Sequence, residues 1–135
     1  MFYQYDSANT FHVPKPFQRD LTPIFQAGDA QIPNAAFSVS MVEWDEGSFV
    51  DPHTHEKHME AMYCIAGKGT AQIGDKMYEL KPDTMVVAPV GVFHQLKNAG
   101  KEKLRVICIY SPAITSTEFL ERAMEAVKKA ESKNQ

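Results

Sequence analysis

Three histidines and one carboxylate are the residues of this chain whose types and spacing could do chemistry. His53 and His55 are separated by one residue, so on an extended strand, where side chains alternate, they point to one face about 6.6 Å apart at Cα. Glu60 follows on the same segment, and His94 lies in a second one, P-V-G-V-F-H-Q-L-K-N, running from Pro89 to Asn98. Imidazole and carboxylate suit first-row divalent ions, and a His/Glu set without thiolates argues against a closed structural zinc site. Such a set would leave a divalent ion with a net charge of about +1 and about two of six coordination positions open. An open, positive centre of that kind takes a carboxylate, an enolate or a diol, or divides itself between substrate and O₂.

Those residues must be held inward by other elements. Runs at 36–44, 61–66, 70–73, 76–80, 84–88, 94–97 and 103–110 read as part of a set of seven or eight short strands, punctuated by turn residues such as Gly74-Asp75, Pro82-Asp83 and Asn98-Ala99-Gly100. IGDKMYEL reads as a hairpin closed at Gly74-Asp75. If Glu60 points inward, strand parity turns Met62, Cys64 and Ala66 inward too, and Val106, Cys108 and Tyr110 share a face on the last strand. Trp44, Phe49 and Phe93 could add aromatic surface, although core packing accounts for them equally well. No second inward carboxylate offers itself as a general base, so the candidates for proton transfer are Tyr110, Cys64 and His58. His58, in the loop HEKHM, reads first as a plain loop histidine and second as a residue at the cavity mouth, and His12 has no visible partner.

Flanking segments differ in character. Residues 1–35, with Pro14, Pro16, Pro23 and Pro33, form an extended arm expected to wrap the barrel or a partner subunit. After Pro112 the pattern predicts a helix over 118–131, capped by Ser116 or Thr117, with Phe119, Leu120, Met124 and Val127 facing the barrel. Many short strands and one terminal helix predict an all-β, single-domain barrel with a C-terminal α-helix: arm 1–35, barrel 36–112, helix and tail 113–135.

Composition narrows the partners. A formal charge of −3 and a pI near 5.9 weigh against nucleic acid as a partner, because phosphate binding needs a concentrated basic surface. The first residues lack a basic stretch followed by an apolar core, and no apolar run approaches the roughly 18 residues of a spanning helix. A cytoplasmic protein is therefore expected, with Cys64 and Cys108 reduced and packed as small hydrophobes. An exposed sheet flank and the arm together suggest a homodimer.

The two motif segments resemble the paired motifs of the cupin superfamily. The first, G-x5-H-x-H-x4-E-x6-G, is met by Gly47, His53, His55, Glu60 and Gly67; the second, G-x5-P-x-G-x2-H-x3-N, is met by Pro89, Gly91, His94 and Asn98, with Asp83 in place of its opening glycine. Asp tolerates turn conformations that other residues resist, so the exchange is compatible with the motif. The resemblance implies a jelly-roll barrel over roughly 36–112 and assigns His53, His55, Glu60 and His94 to one divalent transition metal ion: Fe, Mn, Zn, Ni or Cu. Proteins with this signature include dioxygenases, decarboxylases, isomerases, lyases, hydrolases and sensing domains, and fold alone does not choose among them. The first expectation is a metal-dependent enzyme acting on a small oxygen-rich molecule by dioxygenase-type chemistry. The alternatives are non-redox isomerase, decarboxylase, lyase or hydrolase chemistry, and a non-catalytic small-ligand-binding or sensing domain.

Overall fold

Alternation of side chains along the strands decides which residues face inward. In β4 (Met59–Ala66) the buried positions are Glu60, Met62 and Cys64, and in β9 (Leu104–Ser111) they are Leu104, Val106 and Cys108. The computed structural model describes residues 1–50 and 53–134. Its other strands are β1 (Phe11–Val13), β2 (Arg19–Phe25), β3 (Ser38–Trp44), β5 (Gly69–Ile73), β6 (Lys76–Leu80), β7 (Met85–Ala88) and β8 (His94–Asn98), followed by helix α1 (Ser116–Lys133). They form a six-stranded sheet, β1-β2-β3-β9-β4-β7, and a three-stranded sheet, β6-β5-β8, whose strand pairings are antiparallel. Trp44, Met62, Leu80, Leu96 and Val106 belong to the apolar core between them. The architecture is the expected all-β jelly roll with one C-terminal helix. Among the described residues no helix is long and apolar enough to cross a membrane.

Turn chemistry fixes the registers. Ile73 pairs with Lys76, so Gly74-Asp75 closes the β5–β6 hairpin, and Gly74 at φ 60° supplies the positive φ that a two-residue hairpin turn requires at its first central position. Asp83 stands at φ 68°, the one non-glycine in the left-handed region among the described residues. The motif's glycine position therefore does need that conformation. Asp83 adopts it while its backbone N–H donates to the Cys64 carbonyl at 2.9 Å and its carboxylate accepts from the Tyr63 hydroxyl at 2.7 Å.

The first 35 residues do more than wrap. β1 and β2 extend the large sheet beside β3 within this chain, and the register slips between Pro23 and Phe25, where proline cannot donate to a ladder. At the other end the helix cap is Thr115, not Ser116 or Thr117. Its backbone is extended and its hydroxyl accepts from the Glu118 N–H at 3.0 Å. The buried helix face also differs from expectation: Phe119, Ala123 and Ala130 are buried, whereas Leu120 and Met124 are 42% and 62% exposed. Small alanines let α1 approach β1, and Phe11 meets Phe119 with ring centroids 5.8 Å apart.

Gly67 tests this framework. It lies at φ 83°, and a Cβ there would collide with the Lys103 carbonyl, so Gly67→Ala combines left-handed strain with a backbone clash. The expected loss is about 2 kcal/mol or more in urea unfolding, against a small effect for Ala at solvent-facing Lys68.

Candidate metal centre

His53 is positioned by backbone pairing with His94. The His53 N–H donates to the His94 carbonyl at 3.2 Å and the reverse bond is 2.9 Å, forming an antiparallel bridge outside the named strands. His55 is held through its carbonyl, which accepts from the Gly91 N–H at 2.9 Å. Glu60 opposes Ala88 of β7 and Tyr110 of β9. These constraints bring together all four candidates from the motifs: one ligand atom from each of His53, His55, Glu60 and His94 lies within 4.8 Å of the others. The imidazole centroids stand 4.2 Å apart for His53 and His94 and 4.8 Å for His53 and His55.

The electrostatics follow from burial. Glu60 and His94 are buried, and Glu60 Oε2 lies 3.2 Å from His55 Nε2 and 3.1 Å from His94 Nε2. Burial alone would raise the Glu60 carboxyl, but its bonds to His55 and His94 outweigh that and hold it well below the usual carboxylate range. Burial disfavours charge on His94, yet Glu60 overcomes the penalty and raises the imidazole above its ordinary value. His94 Nδ1 donates to the Val92 carbonyl at 3.1 Å, which leaves Nε2 to face the cluster. A fixed imidazole orientation, an anionic buried carboxylate and two further imidazoles fit one first-row divalent ion.

The cluster opens on a cavity of about 420 Å³ whose wall includes Val42, Met62, Leu96 and Cys108. Tyr110 also lines it, with its ring centroid 5.7 Å from that of His55. Burial and then the Glu60 charge push the Tyr110 phenol well above its usual range. It is therefore a neutral proton donor rather than a base near neutral pH. Cys108 is raised for the same two reasons, burial first.

Two of the proton-transfer candidates have other roles. Cys64 shares the parity of Glu60 but lies deeper along β4, outside the cavity wall, with its thiol directed at the Ala66 and Gly67 carbonyls. Burial pushes that thiol up as well, so it is core packing. Parity gives direction, not depth, and the thiol at the cavity is Cys108. His58 is no free loop histidine: it is 7% exposed, its Nδ1 donates to the Pro112 carbonyl at 2.7 Å, and its Nε2 lies 3.2 Å from Glu118 Oε2. It fastens the start of β4 to α1 at the cavity edge. His12 is exposed and pairs with Asp20 at 2.6 Å. The cavity also collects two residues that the sequence alone left without a site role, Ser40 on β3 and Arg122 on α1, together with the indole of Trp44. The available signal for Arg122 was a charge on the helix face that carries Phe119, Ala123 and Ala126.

The family model described as "Cupin domain" matches residues 40–110, a span that contains all four clustered residues. The chain belongs to the cupin family. Curated proteins similar to it include the L-ectoine synthase of Bordetella petrii, 44% identical over 69 residues, which cover 49% of this chain and 51% of that one. The L-ectoine synthase of Marinomonas sp. is 34% identical over 88 residues, 63% of this chain and 65% of its own length. This cupin spans about half the length of most curated relatives it matches. Among solved structures, ectoine synthase from P. lautus superposes with a TM-score of 0.68 at 19% identity, covering 86% of this chain and 80% of that one. At that identity the likeness carries the fold.

Removal of a ligand should separate the cluster from its neighbours. His55→Ala and Glu60→Ala are expected to lower metal content from about one ion per chain to a small fraction of that, whereas His58→Ala keeps the metal and loses stability through its broken tie to α1; elemental analysis with thermal unfolding reads both.

Protonation gives a second test. Without metal, the lowered Glu60 contributes stability above the ordinary carboxylate range that is lost as pH falls, and the raised His94 contributes stability below its ordinary value that is lost as pH rises. Metal needs the Nε2 lone pair that the His94 proton occupies. The rise in unfolding midpoint on metal loading should therefore be larger at about pH 8 than at about pH 6, and an equal rise would contradict the assignment.

Proposed function

We propose that this protein is a metal-dependent cupin enzyme that transforms a small polar organic molecule by non-redox, synthase-type chemistry. The observation that carries this reading is the meeting of four ligand atoms at a cavity large enough for a small metabolite. An ion held by His53, His55, Glu60 and His94 would supply Lewis-acid polarisation of a substrate oxygen. Around it the chain supplies the rest. Val42, Met62 and Leu96 keep the wall apolar and exclude water. Tyr110 holds a proton at its phenol oxygen beside Glu60 and can donate it to a substrate oxygen or nitrogen. Cys108, held as a thiol, contributes a small neutral surface.

The sequence reading put dioxygenase-type chemistry first. Curated proteins similar to this chain include L-ectoine synthases, which weighs toward the non-redox alternative instead. One reaction panel distinguishes the two: metal-loaded protein is incubated with L-ectoine, small carboxylic acids and diols, with products followed by NMR and dissolved oxygen recorded. Metal-dependent turnover of at least one compound without oxygen uptake is expected, falling at least about 100-fold in Tyr110→Phe if the phenol is the proton donor. Oxygen consumption matched to product would establish the dioxygenase reading. Saturable binding with no turnover of any compound would establish the sensing alternative.

A further inference from the structure

Three buried polar atoms without a hydrogen-bond partner belong to residues that line the same cavity: Ser40 Oγ, Trp44 Nε1 and Arg122 Nη1. Buried polar groups in folded proteins are almost always partnered, because an unmade hydrogen bond forfeits the solvation lost on burial, and more so for a charged group. Their gathering on one cavity is what a site for a polar ligand requires.

Arg122 is the charged member. Its guanidinium carbon lies 5.5 Å from the centroid of the Tyr110 ring, and Tyr110 in turn contacts His55 at 5.7 Å. One aromatic ring thus separates the guanidinium from the metal cluster. The acids one turn away on α1 are otherwise engaged: Glu118 faces His58 at 3.2 Å, and Glu125 pairs with Lys129 at 3.5 Å. No ion pair among the described residues uses Arg122.

We propose that Arg122 anchors the substrate's carboxylate, so that the cavity takes a small molecule carrying a carboxylate at the helix end and its reacting oxygen or nitrogen at the metal end. The planar guanidinium matches a carboxylate in a two-point hydrogen bond, and its cation–π contact with the Tyr110 ring at 5.5 Å holds it on the cavity wall. The indole N–H of Trp44 is a second donor for the ligand's polar middle. Arg122 lies beyond the 40–110 span of the family match, so this end of the cavity can set specificity independently of the metal ligands. The assignment rests on reading the cavity as a small-molecule site.

The test uses binding. Trp44 is the single tryptophan of the chain, so its emission reports cavity occupancy. Succinate and its uncharged diamide are titrated into the full chain, metal-loaded and metal-free. In the metal-free protein, where Glu60 repels anions, succinate should still bind about tenfold or more tighter than the diamide. Arg122→Met should abolish that preference and Arg122→Lys should retain part of it; Arg122→Gln, which keeps a planar group over Tyr110, replaces the methionine variant if that one fails to fold. The proposal is overturned by a preference that survives loss of the guanidinium, by equal binding of the two compounds to the wild type, or by no binding of either. A fall in unfolding midpoint with unchanged preference assigns Arg122 a purely structural role and overturns it equally. Because the deciding arm is metal-free, absence of metal or of turnover would count against the proposed function and leave this result readable.

Discussion

A carboxylate sealed inside a β-barrel among three imidazoles is the constraint on which the site depends. Removing an ion from water costs several kcal/mol even after relaxation, and hydrogen bonds from two imidazoles recover that only while a proton lies between them and Glu60. With all three imidazoles neutral, the cluster carries one uncompensated negative charge in a largely apolar cavity. A divalent cation would reverse the sign and could take one ligand atom from each of the four side chains. The cluster is therefore polarised toward metal by its burial as much as by its ligand types.

Backbone register enforces that arrangement. Glu60 faces inward because β4 is flanked on both sides, with Ala88 and Tyr110 opposite it, and a slip by one residue would turn Met59 inward and Glu60 out. Gly67 and Asp83, each in the left-handed region, close the turns on either side of that strand set. The His53–His94 bridge joins the second motif to the first through backbone bonds that are independent of any ion. The framework thus brings the four side chains together through backbone pairing alone.

Part of this was legible in the sequence because glycine spacing expresses turn conformation and Glu60 follows strand parity on β4, whereas His53 and His55 reach the cluster from outside the named strands on which they were expected. Strand boundaries for β6 and the Gly74-Asp75 hairpin match the expected ones, and the four ligands meet as the motifs imply. Tertiary context decided the rest. Prolines obscured β2, whose bulge accommodates Pro23; large apolar side chains drew attention to Leu120 and Met124, while the helix packs through alanines. Cys64 and Cys108 are indistinguishable by parity, and only the cross-strand pairing of Met62 with Cys108 brings the latter beside the cluster. His58 acquires its role from residues 54 and 60 positions away, a distance no local pattern expresses.

The helix gives the cavity a second chemical end. The family match spans 40–110, which contains the four clustered residues, while Phe119 and Arg122 of α1 line the same cavity, so barrel and helix both shape it. The central claim is that the four side chains share a cation. Anomalous diffraction from crystals, recorded on both sides of the bound metal's absorption edge, tests it most directly. The account predicts a single strong peak within about 2.0–2.3 Å of one atom each of His53, His55, Glu60 and His94; a peak elsewhere, or none after loading with each of Fe, Mn, Zn, Ni and Cu, would contradict it.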